Sequence, residues 1–492
     1  MNLLVMSLVS AAALSFTSCS SNDDLAGNAG QEKVNGFYMT LTVQSPNANA
    51  NGTRTSVLNT TENATAGEAA INNGTLYLVD DNNNIAFHED LSMLDWSGDV
   101  KDDASKKKDG SKTYEIKVPA VEAGKTYHVY FLAGSNKPAG DMNFNATNNN
   151  IFTATTSFAS PFADDNNFAM FNQNDADVNG NGYTVTFIKA NNNKKNPAKV
   201  NYSKDGSAPT TNAPIKVERV VARIDAPNPG TSTVLADAPA SASEALKVAM
   251  KDAKEKVSNI ELTNYAISNL ANKSYVMQTW NSSALSIPNG ISYIQPTASF
   301  GGVYDYQDGG FTTTEATKVN YVFENNSTTA PTTMYFEYQI TLDDSKFTGP
   351  ADFTDGTFYR FNNVIYTSFD QIFKDYNNVA DLFGEGKTAA TMKSDLTNAI
   401  NNETELAKFR KDNKIEVFKG GKTYYKHVIK DNHINVNGTI QRNSIYRLNI
   451  NNIFNVGAQV PNGKTTVNEF YYLNVTVTVN PWVLNTEDVN LQ

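Results

Sequence analysis

The chain has 492 residues, a mass of 53.7 kDa and a formal net charge of −11, from 40 Lys and Arg against 51 Asp and Glu. An acidic chain without a basic cluster is a poor nucleic-acid binder, because phosphate contacts dominate nucleic-acid affinity. Its single Cys excludes a disulfide framework within the chain and zinc sites that need several thiolates. After residue 16, no apolar run reaches the roughly 18 residues that a spanning helix needs.

The N-terminus predicts export as a lipoprotein. Residues 3–16 are apolar and uncharged, which is typical of a signal peptide. Small residues then precede Cys19, as in a bacterial lipobox, so residues 1–18 are predicted to be removed and Cys19 to be acylated. An ordinary secretory peptide with an incidental Cys is the alternative. No Lys or Arg precedes the apolar stretch, which a start codon assigned a few residues late would explain.

The first strand signal follows a polar, Gly- and Asn-rich tether at residues 20–36. Residues 37–44 alternate apolar and polar side chains with a period of two, which predicts a half-buried strand. The apolar members, which we expect to face inward, are Phe37, Met39, Leu41 and Val43. The polar loop after this strand contains Arg54, the first Arg in the chain.

Further strands are predicted along most of the chain, separated by Asn- and Gly-rich turns. They lie at residues 75–79, 113–118, 126–132, 183–188, 216–224, 257–263, 333–342, 357–366, 422–429, 442–450 and from 471 to the end. A linker-like stretch, 225–243, marks the best candidate for a domain boundary, and helical patterns occupy residues 243–257 and 388–411. The pattern predicts a mainly β protein of two tandem β-sandwich domains, with small helical inserts in the C-terminal domain.

One turn resembles the start of a calcium-binding loop. Asp175, Asp177 and Asn179, followed by Gly180, match its first ligand positions, but Thr186 stands where a Glu should close the site. We therefore interpret the segment as a hairpin turn and keep calcium only as a weak candidate.

Catalytic chemistry has little support in the sequence. His427 and His433 lie six residues apart with no carboxylate at metal-ligand spacing, and we interpret them as surface or structural. No nucleophile elbow, zinc-protease motif or P-loop is present. We predict a protein that is not an enzyme and that has no cofactor.

Several segments together resemble the fimbrillins, the subunits of type V pili in Gram-negative anaerobes. The R-N-x-x-Y element of Arg442, Asn443 and Tyr446, with the closing V-T-V-x-P-W tail, is most similar to the major subunit of the short fimbria. The other segments that carry the resemblance are Cys19 with its lipobox, the strand and loop of residues 36–54, and residues 123–136, 217–227, 424–453 and 471–492. The middle of the chain, about residues 227–420, matches only loosely.

This resemblance implies a function and a division of the chain. Two transthyretin-like sandwiches, 55–226 and 227–470, would follow the segment 19–54, which is removed on maturation, and residues 471–492 would form a donor tail. An Arg-specific surface protease would cut between Arg54 and Thr55, the first strand would leave, and the tail of another copy would replace it. The implied location is an outer-membrane lipoprotein precursor and then an extracellular fimbrium that supports adhesion and biofilm formation. The implied partners are copies of the chain and the accessory, anchor and tip subunits, with lipid held through Cys19 before maturation; the surface ligand stays unknown.

Two features of the tail compete for the donor role. Val475, Val477 and Val479 alternate with polar residues, and Pro481 should break that ladder because it lacks an N–H. A second apolar run comprises Trp482, Val483, Leu484, Val489 and Leu491. If the first run closes the C-terminal sandwich, residues 483–491 would be the donor. A lipid-anchored glycan-binding protein that stays monomeric, or an exported hydrolase, remains the alternative to a fimbrial subunit.

Overall fold

A computed structural model describes the chain in fifteen segments and is mainly β. These segments are residues 36–44, 62–92, 111–119, 121–138, 142–144, 150–154, 162–173, 182–203, 208–281, 284–294, 312–313, 319–376, 382–431, 439–461 and 473–483. Five helices lie within them: α1 (Ala66–Ala69), α2 (Glu244–Lys256), α3 (Phe369–Asp375), α4 (Ala389–Ala399) and α5 (Glu403–Asn413).

The described strands follow one another in two groups. The first group is β1 (Phe37–Gln44), β2 (Glu62–Asn63), β3 (Gly74–Val79), β4 (Ile85–Leu91), β5 (Ser111–Val118), β6 (Thr126–Ala133), β7 (Ile151–Thr153), β8 (Ala163–Asp164), β9 (Asn167–Phe168), β10 (Met170–Asn172), β11 (Tyr183–Thr186), β12 (Ala198–Lys199), β13 (Asn201–Tyr202), β14 (Thr210–Thr211) and β15 (Ile215–Arg219). The second group is β16 (Ala222–Asp225), β17 (Val257–Ser268), β18 (Leu270–Ala271), β19 (Lys273–Tyr275), β20 (Thr279–Asn281), β21 (Ala284–Ser286), β22 (Tyr293–Ile294), β23 (Thr312–Thr313), β24 (Val319–Val322), β25 (Thr333–Leu342), β26 (Phe358–Phe361), β27 (Val364–Tyr366), β28 (Glu416–Phe418), β29 (Lys422–Val428), β30 (Ser444–Ile453) and β31 (Leu473–Val483).

Eleven strands of the first group build one large sheet, here called the N-terminal sheet. Its order is β12-β1-β15-β10-β6-β11-β13-β14, with β3 beside β6, β4 beside β3 and β5 beside β1. The strand β3 has every residue buried. Its neighbour β6 buries alternate residues at first and then all of its last three, so the centre of this sheet lies in the protein interior.

Two further sheets pack on one core in the C-terminal part. One has the order β2-β31-β30-β16-β24 and is here called the tail sheet; the other has the order β23-β17-β25-β29. Their facing side chains form one hydrophobic cluster that includes Ile224, Leu448 and Phe336. Two open sheets that share a core are the arrangement of a β-sandwich, as the alternating sequence pattern predicts.

A smaller cluster of buried residues occupies the helical insert between β25 and β29. Helices α3, α4 and α5 pack there with the three-stranded sheet β27-β26-β28 around Phe369, Leu396 and Phe409. The helices begin where the sequence offers caps: Thr388 and Asn402 accept backbone N–H groups at the starts of α4 and α5. The predictions of helices at 243–257 and 388–411 are confirmed, the second as the pair α4 and α5.

Two predicted strands are each divided by a local backbone feature. The segment 216–224 changes sheet at Val220 and Val221, so β15 belongs to the N-terminal sheet and β16 to the tail sheet. The segment 357–366 is a hairpin because Asn362 and Asn363 both adopt positive φ, at 48° and 65°. Asn tolerates this conformation and it is the one that a two-residue turn requires.

The division into two domains stays a prediction. Residues 36–492 form one unit by their internal contacts, and the change of sheet at Val220 and Val221 lies a few residues before the predicted boundary at 226. No helix among the described residues is long and apolar enough to cross a membrane.

The shared core makes a direct stability prediction. Phe336 is fully buried between the two C-terminal sheets, so replacing it with Ala removes its burial and leaves a cavity. We expect Phe336→Ala to lower the free energy of unfolding by about 3–5 kcal/mol in urea titrations. The matched control is Val248→Ala on the exposed face of α2, where the side chain is 68% exposed and we expect a change within about 0.5 kcal/mol. Equal effects of the two substitutions would contradict this core.

Candidate functional site

The first strand lies in a groove of the N-terminal sheet. Along one edge, β1 pairs antiparallel with β5 over its whole length, from Phe37 opposite Val118 to Gln44 opposite Ser111. Along the other edge it pairs in parallel, with β12 at Met39 and Thr40 and with β15 at Val43 and Gln44. Among the described residues β5 has no other ladder partner, so its pairing depends on β1.

The four apolar side chains of β1 all point into the core. Their exposed fractions are 3% for Phe37 and 0% for the other three, Met39, Leu41 and Val43, while the residues between them are only half-buried. At the start of the strand, the centroid of the Phe37 ring lies 5.5 Å from that of the Phe187 ring, and the Tyr127 ring packs edge-on against Phe187 at 6.1 Å. The strand is therefore an integral part of this core, with the inward set that its period of two predicts.

The C-terminal strand β31 closes the tail sheet. It pairs antiparallel with β30, placing Val475, Val477 and Val479 opposite Ile450, Leu448 and Tyr446. Those three β30 residues belong to the buried core. The last pair of this ladder joins Pro481 to Ser444, the first residue of β30. The strand continues past Pro481 to Val483, where it pairs in parallel with β2.

The R-N-x-x-Y element lies at the junction between the sheets. The Arg442 guanidinium is fully buried, forms an ion pair with Glu324 at 2.8 Å and donates to the carbonyl oxygens of Val276 and Tyr275. The Tyr446 hydroxyl donates to Asp431 at 3.0 Å. A buried charge needs such partners, because leaving it unpaired in the interior is strongly unfavourable.

Asn443 connects the two parts of the chain at this point. It adopts a positive φ of 54°, its N–H donates to the carbonyl oxygen of Val221, and its side-chain oxygen accepts from the Arg219 guanidinium at 2.9 Å. Arg219 ends β15 in the N-terminal sheet, whereas Asn443 immediately precedes β30 in the tail sheet. The element thus fixes the end of one sheet to the start of a strand in the other.

A second buried charge cluster includes a residue that the sequence analysis did not select. Glu68, which is 2% exposed, accepts hydrogen bonds from Arg223 at 3.1 Å, from the Tyr321 hydroxyl at 2.8 Å and from the backbone N–H of Thr65 at 2.7 Å. Its carbonyl oxygen accepts from Arg219 at 2.8 Å. The T-x-x-E spacing of Thr65 and Glu68 is the one signal for this site, since it is the signature of a capping box.

The pKa shifts in this cluster agree with a charged Glu68. Burial alone would raise the pKa of Glu68, but the hydrogen bonds from Thr65 and Tyr321 and the charges of Arg223 and Arg219 outweigh it and lower that pKa below 4.5. Burial and the hydrogen bond to Glu68 raise the pKa of Tyr321, so its hydroxyl remains a donor. Burial lowers the pKa of Arg219 to about 9, which still leaves it charged at neutral pH.

Several predicted site residues lie outside the described residues, and their roles stay predictions. They are Cys19, Arg54, Thr55, Asp175, Asp177, Asn179, His433, Leu484, Val489 and Leu491. The backbones of Trp482 and Val483 lie in β31, and His427 lies in β29 opposite Met334. Within the part of the chain that the structure describes, no group of three or more His, Cys, Asp or Glu side chains could hold a metal ion.

The C-terminal segment of the chain matches a known protein family. Residues 416–488 match the family described as major fimbrial subunit protein type IV, fimbrillin, C-terminal. Over this segment the chain is similar to the fimbrillins, as the resemblance of the R-N-x-x-Y element and the tail predicts. The matched segment contains Arg442, Asn443, Tyr446 and all of β31. The description of that family is of a structural fimbrial subunit, which agrees with the prediction of a non-enzymatic protein.

Solved structures resemble the chain only distantly, and no curated protein matches it. A proposed cell adhesion protein from Parabacteroides distasonis shares 14% identity, with 92% of this chain and 98% of that chain covered and a TM-score of 0.44. A fimbrial assembly protein from the same organism shares 12% identity, with 63% of this chain and 85% of that chain covered and a TM-score of 0.29. Identities and TM-scores this low carry no argument about function.

The ionised state of Glu68 predicts an acid-sensitive contribution to stability. Because its pKa is lower in the folded state than in the unfolded state, the stabilisation is complete above pH 4.5 and is lost as the pH falls through the folded pKa. Glu68→Gln should therefore reduce the free energy of unfolding by about 1–3 kcal/mol at neutral pH, and its difference from the unsubstituted protein should shrink on acidification. Urea titrations from neutral pH to below pH 4.5 measure both the loss of stability and its dependence on pH.

The control is Glu122→Gln, because the side chain of Glu122 is 69% exposed and pairs with Lys125 on the surface. This substitution should change neither the stability nor its pH dependence by a measurable amount. A Glu68→Gln difference that stays constant as the pH falls would contradict an ionised Glu68 in the folded protein.

Proposed function

We propose that this protein is a subunit of a surface fimbrium that polymerises by strand exchange. The chain is exported as a lipoprotein through Cys19 and is cut between Arg54 and Thr55 by an Arg-specific surface protease. The cut releases β1, and the tail of a second copy fills the groove between β5 on one side and β12 and β15 on the other. The fimbrial family match supports the class of protein, and the rest of the proposal comes from the two terminal strands.

The observation that carries the proposal is the likeness of β1 and β31. Residues 39–44 read Met-Thr-Leu-Thr-Val-Gln, and residues 475–480 read Val-Thr-Val-Thr-Val-Asn. Both have apolar residues at alternate positions, Thr between them and an amide at the end. The first set is buried in the groove, so the second set offers the side-chain pattern that the groove accepts.

The free energy lost when β1 leaves the groove strongly favours binding of a replacement strand. Removing four large apolar side chains from the core forfeits about 1.5–3 kcal/mol each, or about 6–12 kcal/mol in all. This is comparable with the whole free energy of unfolding of a typical domain. Loss of β1 would also leave β5 without its described ladder partner. The unpaired backbone groups of β5 would add to the free-energy cost of an open groove.

The backbone cut explains why exchange would wait for processing. Before the cut, β1 is tethered to the rest of the chain through residues 45–61, so its effective concentration at the groove is high. After the cut, its dissociation becomes a bimolecular equilibrium, and dilution of the released segment favours its loss. A donor strand from a neighbouring copy can then replace it permanently.

The proposal also specifies location and partners. The precursor is an outer-membrane lipoprotein held by lipid at Cys19, and the processed subunit belongs to an extracellular fimbrium with anchor, accessory and tip subunits. The shaft role follows from the presence of a tail with the donor pattern. Adhesion and biofilm formation are the functions proposed for the filament.

Arg-specific processing can be tested on soluble Cys19→Ala protein comprising residues 19–492. We expect light digestion with an Arg-specific protease to give a new N-terminus at Thr55 and an SDS-resistant ladder of multimers on unboiled gels. The Arg54→Gln variant should give neither product. Processing at Thr55 that leaves only monomers would contradict polymerisation and favour a monomeric, lipid-anchored glycan-binding protein.

A peptide can test whether β31 has the donor pattern. A synthetic peptide of residues 473–483, added in excess during digestion, should occupy the open grooves and shorten the ladder. The same peptide with Val475, Val477 and Val479 each changed to Asp should have no effect, because charged side chains cannot enter an apolar groove.

The matched control places the three Asp residues at positions 474, 476 and 478 instead, on the alternate face of the strand, and should still shorten the ladder. Equal behaviour of the two Asp peptides would contradict insertion by the alternating valines.

A further inference from the structure

The segment that follows the predicted cleavage loop contacts the end of the C-terminal tail. In β2, Glu62 stands opposite Trp482 and Asn63 opposite Val483, in a parallel pairing. These are the last tail residues that the structure describes. A segment close after the processing site is thus paired with the strand proposed as the donor.

The position of β2 is fixed by the buried Glu68 cluster. Thr65, which comes two residues after β2, forms a capping box with Glu68 at the start of α1. Glu68 is held in turn by Arg223 from β16 and by Tyr321 from β24, both strands of the tail sheet. The helix α1 and β2 are therefore anchored to the same sheet that contains β31.

The end of β31 is paired with β30 as well as with β2. Ser444, at the start of β30, stands opposite Pro481. Beyond Pro481 the pairing passes from β30 to β2 at residues 482–483. Because strands separate most readily from their ends, a contact at these positions acts where separation of β31 from its own sheet would begin.

We propose that β2, anchored by Glu68, is a clasp that retains β31 in the tail sheet of its own subunit. While the clasp is closed, the donor strand stays paired with β30 and polymerisation is inhibited. The strand becomes a donor when the pairing of β2 with residues 482–483 is broken. This inference rests on the proposed strand exchange and adds the contact that regulates it.

The clasp can be closed covalently and reversibly. In the Cys19→Ala background, which removes the one Cys of the sequence, Glu62→Cys and Trp482→Cys are combined so that the paired positions can form a disulfide. We expect the oxidised variant to be cut to Thr55 at the normal rate but to form no ladder. Reductant should restore the ladder to the level of the protein without the two substitutions.

Each other outcome overturns a different claim. Failure of the disulfide to form would refute the pairing of β2 with the tail, and a full ladder from the oxidised protein would show that exchange does not need the clasp to open. If the unsubstituted and the reduced proteins are cut but give no ladder, the proposed strand exchange itself fails. The single variants Glu62→Cys and Trp482→Cys control for effects of the substitutions alone.

The anchor can be weakened as a second test. Glu68→Gln removes the charge that binds Arg223, so we expect the backbone amides of residues 473–483 to exchange with deuterium about tenfold faster, with ladder formation accelerated after the cut. A loss of global stability alone would accelerate exchange in β29, which belongs to the opposite sheet, by the same factor as in the tail. We expect a larger increase in the tail than in β29, and this difference separates clasp opening from global unfolding. Unchanged tail exchange in Glu68→Gln, with Glu122→Gln as the control, would refute the anchoring role.

Discussion

The pairing of β1 with β5 is the contact on which the N-terminal sheet depends. Along one edge β1 supplies the only described ladder partner of β5, and with its alternate side chains it completes the core beneath Phe187. Such a strand cannot leave without exposing apolar surface and unpaired backbone groups together. A strand that is necessary for the fold and also lies next to a predicted cleavage loop is the physical basis of the proposed exchange.

The tail sheet depends in a similar way on the pairing of β31 with β30. There β31 pairs with β30 over nine residues of register and covers a strand whose inward residues belong to the sandwich core. In the proposed exchange, a donor strand at this position must be held until the groove of another copy is open, since an unpaired edge is a template for wrong association. The contact of β2 with residues 482–483 lies where such retention has the largest effect on the separation of β31.

Buried charged side chains lie close to the place where β2 pairs with the end of β31. Glu68, Arg219 and Arg223 connect the first helix to both sheets, and Arg442 with Glu324 fixes the turn before β30. These groups have little tolerance for displacement, because an ion in the interior that loses its partner is strongly destabilising. These buried ion pairs fix the position of α1 and of the turn before β30, whereas β1 and β31 are the strands of the proposed exchange.

The sequence by itself determined the mainly β class, the inward set of β1 and the helices α2, α4 and α5. Each depends on a local rule, namely a period of two or a capping residue. The tertiary structure decided which strands pair in each sheet and which distant side chains come into contact. It divided the segment 216–224 between two sheets and brought Glu68 to Arg223 and Tyr321, more than a hundred residues along the chain. It also paired β2 with β31, because partners in a parallel pair are chosen by the packing of whole sheets and not by any pattern within either strand.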